Sequence, residues 1–205
     1  MSNAIEKNLN DNGVLKLSLN RPDVLNAMNA DLIMGLLEGF NEAKADKKVR
    51  SIIITGNGRG FCSGADLVDG GWPKTRGLTG GEAGAITMEN AFNPLVKAIT
   101  QSTKPVVNAI NGMAAGGGVG LALTGDIVVA AESAKFKLVF GPNLGIISDV
   151  GASWFVPNLI GRARANGMGL LGEDISAQQA KDWGLIWDCV PDNELMSVCE
   201  EIANK

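Results

Sequence analysis

The sequence feature that most constrains the fold is a run of three glycines between an apolar strand-like segment and an apolar helix-like segment. The run begins at Gly116, inside Asn111-Gly-Met-Ala-Ala-Gly-Gly-Gly-Val-Gly-Leu-Ala-Leu. Glycine has no Cβ, so the backbone there can adopt positive φ values and let a ligand approach closely. A helix beginning at Gly117 or Gly118 would direct unpaired N–H groups and the positive end of its dipole into that space. The run therefore predicts a place where backbone groups stabilise negative charge.

Composition and charge limit the classes of function. The 205 residues suit one domain, and the net charge of −4 argues against nucleic acid as the main partner. No run of about 18 apolar residues occurs, so no membrane span is expected, and the N-terminus has no apolar signal segment. Cys62, Cys189 and Cys199 form neither a metal pattern nor an even disulfide set, so a cytoplasmic setting is expected. The chain has no histidine, which excludes Ser-His and Cys-His catalysis.

Apolar periodicity predicts strands that alternate with helices, and hence an α/β fold. The predicted strands are 14–19, 51–56, 105–110, 127–131 and 186–190, and the predicted helices are 30–47, 87–100, one after the glycine run, most of 151–184, and 193–203. The glycine-rich segment 69–84 has little periodicity and is predicted to be a mobile surface loop. The strands at 51–56 and 105–110 both end in glycine-bearing segments. Since ligands bind beyond the carboxyl ends of strands in such folds, the loops 61–66 and 115–118 are predicted to converge on one site.

Five pieces of sequence, in order along the chain, resemble the crotonase superfamily, also called the enoyl-CoA hydratase/isomerase superfamily. They are NRPDVLNAM from Asn20, GFCSGADL from Gly60, KPVVNAINGMAAGGG from Lys104, GDIVVAAESAKF from Gly125 and ISAQQAKDWGL from Ile175. The resemblance implies a spiral of ββα turns that binds an acyl-CoA thioester, in trimers or dimers of trimers. It also implies a single domain over residues 1–205, with a core at about 10–190, and without the family's usual C-terminal helical extension.

The resemblance assigns roles to the two glycine-bearing loops. It implies that the backbone N–H groups of Ala65 and Gly117 donate hydrogen bonds to the thioester oxygen. Two such donors in a dry site contribute several kcal/mol to stabilising an enolate oxygen. The alternative is that the glycines only permit close packing of helix on strand. Further contacts to CoA or substrate are implied for Val24, Leu25, Ser63, Asp66 and Leu67, although Asp66 could instead hold its own loop.

The acid/base groups depart from the family's hydratase pattern. Hydratases of the family carry two glutamates, at the positions of Gly120 and of a residue near Phe140, and neither is a carboxylate here. Hydration needs a base for water and an acid for carbon, so this departure disfavours it. Asp149 lies among apolar residues, which would raise its pKa. In the family that the chain resembles, isomerases carry their acid/base aspartate at this motif position, and dehalogenases carry a nucleophilic aspartate there. From the residues alone, the alternative is that Asp149 is the N-cap or an early-turn acid of the following helix.

The favoured hypothesis is an acyl-CoA isomerase that shifts a double bond, or rearranges a ring-derived CoA thioester, with Asp149 as acid and base. The stretches from Gly151 and from Leu170 most resemble the isomerase branch of bacterial phenylacetate degradation, which acts on a ring-epoxide CoA thioester. An enoyl-CoA hydratase and a non-catalytic acyl-CoA-binding subunit are the alternatives. No metal or redox cofactor is indicated, because CoA would arrive as part of the substrate.

Overall fold

The computed structural model describes residues 4–68 and 77–205. Within them the strands form a sheet of six, ordered β1-β2-β3-β5-β7-β10, and a sheet of four, ordered β4-β6-β8-β9. The strands are β1 (Ile5–Leu9), β2 (Val14–Leu19), β3 (Ser51–Gly56), β4 (Gly60–Cys62), β5 (Val106–Ile110), β6 (Met113–Ala115), β7 (Ile127–Ala131), β8 (Lys135–Lys137), β9 (Ile175–Ser176) and β10 (Asp188–Val190).

The α-helices of the described residues alternate with these strands. They are α1 (Ala30–Ala45), α2 (Gly80–Thr87), α3 (Asn93–Thr100), α4 (Gly117–Ala122), α5 (Ala152–Leu171), α6 (Ala177–Trp183) and α7 (Leu195–Asn204). A π-helical turn, Met88–Phe92, joins α2 to α3, and a second lies at Phe140–Leu144. None of the helices in the part of the chain described is long and apolar enough to cross a bilayer.

The larger sheet is parallel except at one edge, where β1 pairs antiparallel with β2. The central strands β3 and β5 are buried at every position and are rich in valine and isoleucine. Such continuous apolar runs are typical of parallel strands that are covered on both faces. The hydrophobic core therefore lies on both sides of this sheet.

The smaller sheet turns the chain into a spiral. Each of β3, β5 and β7 is followed by a short strand of the smaller sheet (β4, β6 and β8), and then by helix. The strands β4, β6 and β8 pair in parallel, with Cys62 opposite Ala114 and Ala114 opposite Phe136. These repeated ββα turns confirm the predicted α/β class and the spiral.

The structure corrects several predicted segments. The helix predicted at 30–47 ends at Ala45, and the predicted loop 69–84 contains the start of α2, while 69–76 lie outside the described residues. Thr79 and Glu82 form a reciprocal capping box, so α2 has a defined start despite its weak apolar periodicity. The short strands of the smaller sheet carry too few residues to show alternation, and periodicity did not predict them. The helical segment after Gly151 is kinked at Gly161 and interrupted by β9.

Candidate active site

The glycine run forms a sharp turn from β6 into α4. Gly116 has φ 53° and ψ −127°, a conformation that glycine adopts readily and other residues do not. A Cβ at Gly118 would lie 2.1 Å from the carbonyl oxygen of Cys62, so only glycine lets α4 begin directly against β4. The packing interpretation of the run is therefore correct for Gly118. Gly117, the first residue of α4, is also closely packed, since a Cβ there would lie 2.9 Å from Cγ2 of Val150, but in addition its N–H has no partner within the helix.

The loop after β4 presents the N–H of Ala65. The N–H of Met28 donates to the carbonyl of Gly64 (2.7 Å), and the N–H of Asp66 donates to the carbonyl of Met28 (2.9 Å). Met28 and Ala65 thus form a parallel bridge in which the bonds go to the residues on either side of Ala65. The N–H of Ala65 consequently points away from the backbone of Met28.

The two predicted loops do converge, although they follow the short strands β4 and β6 instead of β3 and β5. Gly64 has φ 101°, and a Cβ there would lie 3.0 Å from the carbonyl oxygen of Ala115 and 3.2 Å from the nitrogen of Gly117. The absent side chain of Gly64 therefore leaves open the space next to the Gly117 N–H. This arrangement fits the two-donor oxyanion hole that the resemblance implies.

A cavity of about 380 Å³ opens beside these two loops. Its walls come from the loop after β4, from α2 and the π-helical turn that follows it, from the start of α4, and from the segment before α5. The lining residues are Ser63, Gly64, Ala65, Leu67, Ala83, Gly84, Thr87, Met88, Phe92, Gly116, Gly117, Val139, Phe140, Leu144, Ile146 and Asp149. Six of its wall residues carry large apolar side chains: Leu67, Met88, Phe92, Phe140, Leu144 and Ile146. The sequence predicted only a helix over 87–100 and did not place Met88 and Phe92 at the site. An apolar chamber of this kind suits an acyl group.

Asp149 is the one ionisable side chain among the described residues that line the cavity. Burial raises its pKa to about 6, against a weaker opposing effect of a backbone hydrogen bond. Its Oδ1 atom is buried and has no hydrogen-bond partner among the described residues. The same atom lies 3.3 Å from where a Cβ at Gly117 would be. A carboxylate with a free oxygen and a pKa near neutrality is suited to general acid/base work.

The capping alternative for Asp149 is wrong. The N-cap of α5 is Gly151, and only the backbone carbonyl of Asp149 is used there, accepting from the N–H of Ala152 (2.9 Å). Val150, between them, has φ 48°. A β-branched residue in the left-handed region costs on the order of 1–3 kcal/mol, and such strain is concentrated at functional sites. The side chain of Asp149 is therefore free to face the cavity.

The positions where hydratases of the family carry glutamate are both buried and without a carboxylate. Gly120 lies in α4, and Phe140 contributes its ring to the cavity wall. Cys62, also buried, has its pKa raised to about 12 by desolvation, so its thiol is un-ionised at neutral pH. Asp149 thus has no second carboxylate beside it among the described cavity residues.

The residues implied to contact CoA lie in two groups. Ser63, Ala65 and Leu67 line the cavity, as does Gly117. Val24 and Leu25 lie outside the cavity wall but hold its loop. The Ser63 hydroxyl donates to the carbonyl of Val24 (3.2 Å), and the Ser63 N–H donates to that of Leu25 (3.0 Å). Val24 is 46% exposed and so remains accessible to a ligand at the edge of this site.

Asp66 is buried and pairs with a partly buried arginine. Its Oδ2 accepts from Nη1 of Arg21 at 2.8 Å, its Oδ1 accepts from the N–H of Val68, and its side chain is 8% exposed. Arg21 also donates to the carbonyl of Ala27. These contacts match the alternative that Asp66 holds its loop, since its carboxylate is used to fix the chain on either side of Ala65.

Comparisons with known proteins agree with this geometry. The family model described as enoyl-CoA hydratase/isomerase matches residues 10–205. The chain is 44% identical over 195 residues to the 1,2-epoxyphenylacetyl-CoA isomerase of Escherichia coli K12, covering 94% of this chain and 72% of that one. It is 36% identical to the 2,3-dehydroadipyl-CoA hydratase of the same organism, covering 94% of this chain and 71% of that one. Across three such relatives it spans 66% to 72% of their length.

Solved structures of the same kind have the same fold. An enoyl-CoA hydratase from Bacillus anthracis superposes with a TM-score of 0.87 at 33% identity, covering 98% of this chain and 75% of that one. A monofunctional enoyl CoA isomerase from Mycobacterium smegmatis superposes with a TM-score of 0.81 at 32% identity, covering 98% and 84%. With the match of the family model over nearly the whole chain, these findings identify the protein as a member of the enoyl-CoA hydratase/isomerase (crotonase) family.

Proposed function

We propose that the protein is an acyl-CoA isomerase that shifts a double bond, or rearranges an unsaturated or ring-derived CoA thioester, through an enolate. The observation that carries this proposal is a carboxylate oxygen of Asp149 that has no hydrogen-bond partner among the described residues and lies close to Gly117 in a largely apolar cavity. A site with one ionisable group can remove and return a proton, because the two steps follow one another. The similarity to the isomerase of Escherichia coli also supports the proposal of an isomerase.

The proposed reaction begins with the thioester oxygen between the N–H groups of Ala65 and Gly117. For a 3-enoyl thioester, ionised Asp149 removes a proton from C2, and the electron pair of that C–H bond forms the enolate. The two N–H groups stabilise the charge that develops on oxygen. Protonated Asp149 then gives its proton to C4, the carbonyl reforms, and the double bond lies between C2 and C3. No atom is gained or lost overall.

Burial of Asp149 among apolar residues would suit it to both proton transfers. A pKa of about 6 leaves Asp149 ionised at pH 7, yet basic enough to take a proton and hold it for the second step. An ordinary carboxyl, with a pKa of about 4, is a weaker base.

The test uses 3-hexenoyl-CoA, because its isomerisation to the conjugated 2-enoyl thioester increases absorbance at the enoyl-thioester band. We expect turnover by the wild type and a loss of at least about 100-fold in Asp149→Asn. Glu89→Gln, which changes an exposed acid near the cavity, is the matched control and should retain activity. Calorimetry should find acyl-CoA binding largely intact in Asp149→Asn. Wild-type turnover by that variant would contradict the proposal.

A second candidate is hydration of an enoyl-CoA, which the names of several relatives favour, including 2,3-dehydroadipyl-CoA hydratase. Crotonyl-CoA separates the two candidates, since hydration removes the conjugated double bond and its absorbance. We expect slow loss or none, because the site offers no second carboxylate for water among the described cavity residues. Rapid loss would favour the hydratase.

A further inference from the structure

The face of α4 that looks toward Asp149 is made of glycine. Gly117 and Gly120 lie three residues apart, and therefore on the same side of this helix. A Cβ at Gly120 would lie 2.2 Å from the carbonyl oxygen of Val150 and 2.8 Å from its carbonyl carbon. A Cβ at Gly117 would lie 2.9 Å from Cγ2 of Val150. The backbone of residue 150 thus rests directly on the helix, at a distance that no side chain at 120 permits.

The backbone of Val150 has an unfavourable conformation at the same point. Its φ of 48° belongs to the left-handed region, in which a β-branched residue is an outlier. Such a conformation persists only where the surrounding structure enforces it. Val150 is 2% exposed, and its carbonyl faces Gly120. Because residue 149 precedes it directly, the docking of Val150 on α4 fixes the direction of the Asp149 side chain.

We propose that Gly120 is a positioning residue, whose missing side chain lets Val150 dock on α4 and thereby holds the carboxylate of Asp149 beside Gly117. The contact has a consequence for the choice of reaction. A side chain at 120, including the glutamate that hydratases of the family carry there, cannot coexist with Val150 in its observed place. Glutamate at 120 would therefore displace Asp149 instead of adding a second carboxylate to it. The inference rests on the proposed function only in naming Asp149 as the acid/base group.

Other charged groups do not complicate the position of Asp149. α4 carries no ionisable side chain, and neither does the first turn of α5. Of the described residues that line the cavity, no other is ionisable. The titration of Asp149 consequently reports how deeply its carboxylate is held in the apolar cavity. This readout does not depend on turnover.

The test is a pH titration of carboxyl-¹³C-labelled aspartate by NMR, with the Asp149 resonance assigned by its absence in Asp149→Asn. In the wild type the resonance should titrate near 6, where burial puts the pKa. In Gly120→Ala the displaced carboxylate should reach water, and its pKa should fall toward the ordinary value of about 3.9. Isomerase kcat should fall by at least about tenfold, while KM changes much less.

Two further variants separate positioning from a general loss of packing. Val150→Ala keeps the backbone carbonyl that rests on Gly120, so the pKa of Asp149 should stay near 6. Gly125→Ala would displace the side chain of Asn108 (2.8 Å from the new Cβ) instead of Val150, and should also leave the pKa near 6.

A folded Gly120→Ala protein in which Asp149 still titrates near 6 would overturn the proposal. A fall in the pKa of Asp149 in Val150→Ala would also overturn it. That variant can be measured even if Gly120→Ala does not fold. Loss of the Asp149 shift in Gly120→Ala supports the positioning role even if no isomerase substrate is found. The proposed function fails separately, if Asp149→Asn turns over substrate like the wild type.

Discussion

The Oδ1 atom of Asp149 lies 3.3 Å from the position that a Cβ of Gly117 would occupy. The carboxylate of Asp149, the proposed base, therefore lies next to Gly117, which carries one of the two proposed oxyanion donors. A thioester carbonyl held at the N–H of Gly117 would bring its neighbouring carbon close to the carboxylate. Proximity of this kind is a large part of the rate that an active site supplies.

Ionisation of Asp149 should cost stability at neutral pH. Its pKa is raised to about 6 in the folded state, above about 3.9 when unfolded, so the folded protein binds this proton more tightly. Stability therefore falls as the pH rises from about 4 to 6, and the cost persists above 6. Asp149→Asn should raise the free energy of unfolding by on the order of 2 kcal/mol at pH 7.5, and by much less at pH 4.

Urea denaturation of wild type and Asp149→Asn at both pH values measures this difference. Glu89→Gln is again the control, because it removes one acidic group from an exposed position. An equal difference in unfolding free energy at pH 4 and pH 7.5 would mean that Asp149 does not ionise with a raised pKa.

The rate of isomerisation should depend on pH through the same group. With Asp149 ionised as the base, kcat/KM should be flat above its pKa of about 6 and fall about tenfold for each pH unit below it. The profile of kcat/KM reports the free enzyme and can be compared with the NMR titration. A profile that is flat down to pH 4.5 would exclude Asp149 as the base.

Gly64 keeps open the space between the two loops. An alanine there would place its Cβ 3.2 Å from the nitrogen of Gly117, and φ 101° disfavours any side chain. We expect Gly64→Ala to lower kcat by about 100- to 1000-fold, as loss of an oxyanion donor does. Gly77→Ala is the matched control, since Gly77 has φ 89° but a Cβ there would meet no atom of the described residues within 4 Å. Equal losses of kcat in Gly64→Ala and Gly77→Ala would mean that backbone strain alone causes the effect.

The ion pair between partly buried Arg21 and buried Asp66 should stabilise the loop that carries Ala65. Arg21→Met leaves a carboxylate buried without its charged partner, which typically costs about 3 kcal/mol. Thermal or urea unfolding of Arg21→Met, Asp66→Asn and the double variant measures the coupling between them. The double variant should be more stable than the sum of the two single losses implies, by at least about 1 kcal/mol. Strictly additive losses would mean that the pair does not act as a unit.

How much could be predicted from the sequence depended on the length of each element. The strands at 14–19 and 51–56 were predicted with their observed bounds, because six residues suffice to show the alternation of the first and the β-branched run of the second. The short strand 113–115 carries too few residues for a pattern, although the glycines after it did predict the turn and α4. The start of α2 had a readable signal in Thr79 and Glu82, at capping-box spacing, which the surrounding glycines obscured.

The groups of the proposed site had sequence signals, since glycines indicated the backbone donors and an aspartate indicated the acid/base group, but the backbone conformation that holds the aspartate had none. An aspartate among apolar residues indicated a raised pKa, and burial does raise it. The left-handed conformation of Val150 had no signal, because β-branched residues avoid that region. Its fit against Gly120 depends on residues thirty positions apart, which no local pattern reveals.

The proposed role of Asp149 is to carry a proton from C2 to C4, and the most direct measurement of it is the fate of deuterium in 3-hexenoyl-CoA labelled with deuterium at C2. Mass spectrometry of the product, with its fragments, reports whether the label moves to C4. We predict deuterium at C4 of the wild-type product and at least about 100-fold slower transfer and isomerisation with Asp149→Asn, while that variant still binds the thioester. Transfer of deuterium by Asp149→Asn at the wild-type rate would contradict this role of Asp149.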